Sequence, residues 1–438
     1  MRVRFWGTRG SIATPGAGTV RFGGNTSCVE LQTGSGETFI FDVGTGARPL
    51  GDALMARTTG ALSATILLTH THWDHIQGFP FFGPLFVHGN RFAVYAPEDI
   101  NRSLHQTLAG QMEFQHFPVE LDQLPASITC HELTEGHHEI GGAHVFAQYL
   151  HHPTMTLGYR IEAGGVAVAC LTDHEPFSDL LWRSDAPPGR VDAILHQGDR
   201  RHARFMANAD LVIHDAQYTP EEFPAKKTWG HSTFDYVVEL AAAAGVRRLA
   251  LSHHDPRHDD AMVAEIEARA RALAAARSPA MEVFCAFEGC ELILEPSTET
   301  SGEFVGPSHA RVATAARILV TDDDPDMRAL ARLALERDGH TVREAPSGEE
   351  AIRAVLEWAP DLVLLDIVMP TMSGLDVLRA LRADPRTAHL PVLLLTSMDS
   401  ESDLREGFEL GATDYLTKPF TMPQLASRVR SCLARARE

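Results

Sequence analysis

The sequence predicts an α/β chain of two domains, and three observations carry that reading. Before residue 296, short apolar runs end again and again on histidine or aspartate, as expected where one edge of a layered sheet gathers polar side chains. Pro296-Ser297-Thr298-Glu299-Thr300-Ser301-Gly302 through Ala316 is small, polar and poor in apolar residues, a flexible linker. From Arg317 onward, strand and helix patterns alternate about five times over some 120 residues, the rhythm of a doubly wound parallel sheet. The expected boundaries are therefore a first domain at 1–296, a linker at 297–316 and a second domain at 317–438.

The first domain is densest in signal at Thr69-His70-Thr71-His72-Trp73-Asp74-His75, directly after the apolar run Ala64-Thr65-Ile66-Leu67-Leu68. Side chains alternate in an extended segment, so His70 and His72 can point at one metal ion. Asp74 and His75 follow where the chain turns away and can reach a second ion. Neutral imidazole with carboxylate suits zinc, and also iron or manganese. The plain alternative is a polar surface loop, which so dense a cluster makes the poorer reading. Three further strand-like stretches end on metal-capable side chains: Tyr149-Leu150-His151-His152, Val166 through Asp173, and Leu249-Ala250-Leu251-Ser252-His253-His254.

With these residues in place, 1–296 resembles the metallo-β-lactamase fold superfamily of binuclear metallohydrolases, in its ribonuclease Z and phosphodiesterase branch. The signature HxHxDH reads His70-x-His72-x-Asp74-His75. Phe5-Trp6-Gly7-Thr8-Arg9-Gly10-Ser11, Gly23-Gly24-Asn25-Thr26-Ser27-Cys28 and Phe41-Asp42-Val43-Gly44-Thr45-Gly46 also resemble that branch. The resemblance implies an αββα sandwich with two divalent metal ions. It adds His152 as a ligand to the first ion, Asp173 as the bridge and His253 as the last ligand, with His254 left open as an alternative. Asp74 is implied both to ligate and to hold the proton of the attacking group. His231, in Gly230-His231-Ser232-Thr233, resembles the histidine that protonates the leaving oxygen, and Asp215 its carboxylate partner. A bland role for His231, capping a helix that begins near Ser232, stands beside this one.

Other histidines carry less. His151, His174 and His254 adjoin proposed ligands and could replace them under a shifted alignment, or orient them through hydrogen bonds. His174 follows Asp173 where the family usually has a smaller residue. His137, His138 and His144 flank a turn at Gly141-Gly142 and read as surface residues, while His88, His105, His116 and His131 have no motif context. Residues 97–130 are expected to wall the pocket. Segment 257–278 has the alanine content and spacing of a helix packed by one face.

In the second domain, Arg317–Thr321 ends on Asp322-Asp323-Asp324, Asp361–Leu365 on Asp366, Pro391–Leu395 on Thr396-Ser397, and Ala412–Thr417 on Lys418. Such sheets bind ligands at the carboxyl ends of their strands. The pattern resembles the five-stranded receiver domain of two-component response regulators. That resemblance implies Mg²⁺ held by Asp322, Asp323 and Asp366, with Asp366 as the nucleophile that takes phosphate from a cognate histidine kinase or phosphotransfer protein. It also implies Lys418 and Thr396 as contacts to the phosphoryl oxygens and Tyr415 as the switch aromatic.

A formal net charge of −20 argues against an extended nucleic-acid surface, which needs clustered Lys and Arg, but admits small nucleotides. The six cysteines lack paired zinc-ribbon spacing and read as reduced and structural, as in the cytosol. Neither a signal-peptide core nor a run long and apolar enough to span a bilayer is legible, so the expected location is cytoplasmic. Either domain could pair two chains. The sequence thus reads as a response regulator whose output is a zinc-type binuclear hydrolase acting on small nucleotide or cyclic phosphodiesters, regulated through Asp366. The competing readings are a lactone or thioester hydrolase on the same metals, and a non-catalytic metal-binding sensor module. The order is unusual, since receivers commonly precede their outputs.

Overall fold

The structure, a computed structural model, describes residues 1–98, 102–178, 180–183, 187–296, 315–397, 407, 410–418 and 420–435. The chain divides into two compact units. Residues 297–314 of the expected linker lie outside the described residues.

In the first unit, β1 Arg2–Gly7, β2 Cys28–Gln32, β3 Thr38–Phe41, β4 Ser63–Leu67, β5 Arg91–Pro97 and β6 Ser127–Leu133 build one sheet. A second takes β7 Gly136–Ile140, β8 Ala143–Tyr149, β9 Leu157–Ala163, β10 Val166–Leu171, β11 Leu211–Asp215, β12 Arg248–Ser252 and β13 Glu282–Cys285. Strand β14 Glu291–Ile293 returns to the edge of the first sheet beside β1. Both sheets follow one plan, antiparallel neighbours first and parallel neighbours after. The change comes at β3/β4 in the first and β10/β11 in the second.

Period-two alternation decides which side chains meet. In β3, Ile40 joins Ile66, Phe92 and Val94 in a core under the helices Ala47–Arg57 and Leu104–Gln111. In β10, Ala169 and Leu171 pack with Val212 and Leu249 under Phe234–Ala243 and Asp260–Arg277. The opposite faces meet between the sheets: Phe41 stacks on Tyr159 at 6.5 Å, Phe5 meets Phe284 edge-on at 6.3 Å, and the Tyr159 hydroxyl donates to the Leu68 carbonyl at 2.7 Å. This is the αββα sandwich that the sequence leads one to expect. The helix expected at 257–278 runs Asp260–Arg277; the Asp259 side chain caps it, and Val263, Ile266, Ala270 and Ala274 form its buried face.

The second unit has one parallel sheet, β15 Arg317–Thr321, β16 Thr341–Ala345, β17 Leu362–Asp366, β18 Val392–Ser397 and β19 Asp414–Lys418, in the order β16–β15–β17–β18–β19. Both faces are covered. Leu319, Val363 and Leu365 pack on one side, Ile318, Val320, Leu362 and Leu364 on the other, so the strands read as continuous apolar runs. The strand order reverses at β15, and Asp322 and Asp323 follow that strand at the switch point. Among the described residues, no helix is long and apolar enough to cross a membrane.

Candidate metal centre

The loops after β4, β8, β10 and β12 converge on one place. The donor atoms of His70, His72, His152 and Asp173 lie within 4.8 Å of one another, as do those of Asp74, His75 and His253. Asp173 stands between the sets. Its Oδ2 is 3.5 Å from His70 Nε2 and 3.8 Å from His152 Nε2, while its Oδ1 is 3.2 Å from His253 Nε2 and 3.5 Å from His75 Nε2. One carboxylate thus offers one oxygen to each half. Asp74 Oδ2 is 3.1 Å from His253 Nε2. His72 and the adjoining Trp73 face solvent, whereas the other six residues of the two sets are buried.

Outer hydrogen bonds aim these rings. His152 Nδ1 donates to the Gly230 carbonyl at 2.9 Å, leaving Nε2 for the centre. His75 Nδ1 donates to Asp42 Oδ2 at 2.8 Å, and Asp42 also accepts from the Thr69 backbone N–H at 2.8 Å and from the Ser27 hydroxyl at 3.1 Å. The Ser11 N–H donates to Asp74 Oδ2 at 2.7 Å. Such bonds fix tautomer and direction. They also explain three motifs of the sequence, since Ser11, Ser27 and Asp42 each come from one. Asp42, Asp173, His253 and Ser11 all hold positive φ, between 56° and 65°, a sparsely populated region for residues other than glycine. Gly10 and Gly230 are required by close approach: a Cβ on Gly10 would stand 2.4 Å from His253 Nδ1, and one on Gly230 2.2 Å from His152 Nδ1.

In the first set the protonation states suit a cation directly. In the second, burial opposes the charged rings of His75 and His253, but Asp74 and Asp173 raise both, so an ion there would displace protons. Burial drives His70 well below its usual value and His152 down to about 3, so both are neutral donors at neutral pH. Burial opposes ionisation of Asp173, but His253, His75 and His231 outweigh it and hold the carboxyl well below its ordinary range. His70 Nε2 is buried without a hydrogen-bond partner, and Asp173 Oδ1 lacks hydrogen-bonding geometry despite its near neighbours. Two converging sets of nitrogen and oxygen donors, with orphaned atoms aimed inward, fit a pair of divalent ions.

His231 adjoins the centre, with Nδ1 3.5 Å from Asp215 Oδ2 and 3.9 Å from Asp173 Oδ2. It caps nothing: the helix begins at Phe234 after the N-cap residue Thr233. Burial opposes ionisation of Asp215, yet the adjoining His214 and His231 rings hold its carboxyl at about 2. Asp215 also accepts the Ser232 N–H at 2.8 Å and the His174 N–H at 3.2 Å.

The neighbouring histidines go elsewhere. His254 Nε2 donates to the Ala286 carbonyl at 2.9 Å and its ring packs on Phe22. His151 stacks on Phe177 at 4.1 Å, and His174 stacks on His202 at 3.8 Å. Behind Asp215, His202 Nε2 lies 2.8 Å from His214 Nε2, and Tyr236 donates to Asp199 at 2.6 Å. The sequence signals little of this buried layer: His202 sits in a helix with no motif around it, and His214 shows only as the neighbour of Asp215 in β11. His137, Glu139 and His144 form a separate exposed group on β7 and β8. Within 97–130, a groove of about 680 Å³ is lined by Arg102, Met112, Phe114 and Asp122 among others; a smaller one shares Arg102 and reaches Thr71, between His70 and His72. Residues 99–101 lie outside the described set. Cys28, Cys130, Cys170, Cys285 and Cys290 are free thiols.

In the second unit, Asp322, Asp323 and Asp366 bring carboxylate oxygens within 4.8 Å of one another. Lys418 Nζ bridges Asp322 at 2.7 Å and Asp366 at 2.9 Å. Burial, with Asp322 and Asp323 adding to it, raises the Asp366 carboxyl despite Lys418. Thr396 is buried at the end of β18, and Tyr415 packs against the core beside β18.

Residues 39–254 match the beta-lactamase superfamily domain, and residues 318–430 match the response regulator receiver domain. Among curated proteins, the chain is 42% identical over 119 residues to the DNA-binding dual master transcriptional regulator RpaA of Synechocystis sp., covering 27% of this chain and 49% of that protein. The chain spans about half the length of the curated relatives first matched. Among solved structures, a putative response regulator from Chloroflexus aurantiacus is 38% identical, with 28% of this chain and 99% of that chain covered and a TM-score of 0.27. Human tRNase Z, short form, is 21% identical, with 67% and 100% covered and a TM-score of 0.45.

Proposed function

We propose, from a chain whose residues 39–254 belong to the beta-lactamase superfamily and whose residues 318–430 are a response regulator receiver domain, that the first domain is a binuclear phosphodiesterase acting on small nucleotide or cyclic phosphodiesters and the second its phosphorylation-dependent regulator. His70, His72, His152 and Asp173 would hold one divalent ion, and Asp74, His75, His253 and Asp173 the other, zinc being the first choice for this donor set. When bound, such ions acidify a water and polarise a phosphoryl oxygen. Asp74, held by the Ser11 N–H, keeps one oxygen beside His253 and can take the proton of the attacking group.

The observation that carries the choice of phosphodiester is the His231–Asp215 pair. An alkoxide leaving group needs a proton as its bond to phosphorus breaks, and an imidazolium backed by a buried carboxylate supplies one. A thioester's thiolate departs without such help. A lactone also expels an alkoxide, so the pair argues against the thioester, and a substrate panel separates phosphodiester from lactone. In that panel the full chain is expected to hydrolyse bis(p-nitrophenyl) phosphate and cyclic nucleotides, and to leave lactones and thioesters largely intact. Turnover confined to the latter two would overturn the reading.

In the receiver, the Asp366 carboxylate would attack phosphohistidine phosphorus, breaking the P–N bond and forming an acyl phosphate. Mg²⁺ would be held by Asp322, Asp323 and Asp366; Lys418 and Thr396 would meet the phosphoryl oxygens, and Tyr415 would relay the change. The expected phosphodonors are a histidine kinase or phosphotransfer protein. Acetyl phosphate with Mg²⁺ should change the hydrolysis rate of the wild type by at least about fivefold, a coupling of ordinary size, and should leave Asp366→Asn unmoved. Equal rates in all four assays would contradict the coupling.

A further inference from the structure

Lysine is nearly absent from this chain. Lys and Arg together number 38, yet lysine stands only at Lys226, Lys227 and Lys418. Lys418 sits between Asp322 and Asp366 of the receiver. The other two stand together just ahead of Gly230 and His231, in the loop that closes one side of the metal centre. A chain that meets its ordinary need for surface cations with arginine has used a compact ammonium here, a group with three rotatable donors suited to a point contact on phosphate.

The loop is fixed rather than loose. The buried Glu175 carboxylate accepts the Thr228 N–H at 2.9 Å and the Gly230 N–H at 2.7 Å, and the Gly230 carbonyl in turn orients His152. Thr228 is held at a φ of 73°. Lys226 Nζ lies 4.0 Å from the Trp229 ring centroid and 5.6 Å from that of Tyr218. Tyr218 packs edge-on against His231 at 5.9 Å. Cation and rings therefore form a continuous run that ends at the proton donor. Trp229 is 54% exposed, a large apolar face left in water beside a reaction centre.

We propose that Lys226 and Trp229 form a substrate-binding arm of the metal centre, the ammonium meeting a phosphoryl oxygen and the indole stacking on an aromatic base. The substrate class is then a nucleoside-bearing phosphodiester, which deepens the phosphodiesterase reading and rests on it. In a protein of formal charge −20, an anionic substrate gains from a cation fixed at the site itself.

The test uses the zinc-loaded full chain and two esters with the same leaving group, thymidine 5′-(p-nitrophenyl phosphate) and methyl p-nitrophenyl phosphate. The wild type should show a KM lower by about tenfold for the nucleoside ester, the usual scale of base stacking on an aromatic side chain. Trp229→Ala should erase that preference with little change in kcat. Lys226→Gln should raise KM for both esters by about tenfold, and Lys226→Arg should recover most of the loss. If the wild type hydrolyses both esters while Trp229→Ala keeps the preference or Lys226→Gln keeps its KM, the arm is wrong and the phosphodiesterase stands. If the wild type hydrolyses neither, the phosphodiesterase reading fails and the arm falls with it.

Discussion

Asp173→Asn is expected to lower the metal content of both halves of the centre together and to reduce phosphodiester hydrolysis by on the order of 10³-fold or more, the scale set by losing metal activation of water. The reason is geometric. Oδ2 faces His70 and His152, Oδ1 faces His75 and His253, and among the described residues no other carboxylate is grouped with donors of both halves. Asparagine is the informative replacement because it matches the shape and tolerates the φ of 65° found here, whereas alanine would add backbone strain to the loss of a ligand. Metal analysis on the purified variant, beside its thermal unfolding, checks the outcome. A variant that kept both ions and most of its activity would show that Asp173 does not bridge.

His231→Ala should lower kcat by about 10² to 10⁴ on diesters with alkoxide leaving groups, the usual range for removing a general acid. On p-nitrophenyl esters the loss should be far smaller, because p-nitrophenolate departs without a proton. Asp215→Asn should follow the same pattern more weakly. It would remove the charge that holds His231 in place while sparing the amide contacts to Ser232 and His174 only in part. Equal losses on the two kinds of ester would make His231 a structural support of Asp173 instead.

Much of the centre was legible because strand ends are legible. His70, Asp173 and His253 come one to three residues after β4, β10 and β12, and Asp215 ends β11. The receiver's Asp366 and Lys418 end β17 and β19 by the same logic. The choice between adjacent histidines was not legible, and the reason is conformational. At Asp173 and His253 the backbone enters the left-handed region, which breaks the alternation by which side chains are assigned to faces. Period-two counting therefore cannot tell His253 from His254, and the structure separates them through the contact of His254 with Ala286. Asp42 could have been found, since Phe41-Asp42 is another strand ending on a carboxylate. The joining of His174 to His202 and His214 could not, because that layer is assembled from a loop, a helix and a strand that carry no shared pattern.

The most direct test is metal content with hydrolysis of bis(p-nitrophenyl) phosphate, measured on the wild-type chain of 438 residues and on Asp74→Ala, before and after chelation and zinc return. The wild type is expected to hold about two ions per chain, with turnover that disappears on chelation and returns with zinc, and Asp74→Ala is expected to lose turnover along with the second ion. Metal bound without turnover, or turnover indifferent to Asp74, would contradict it.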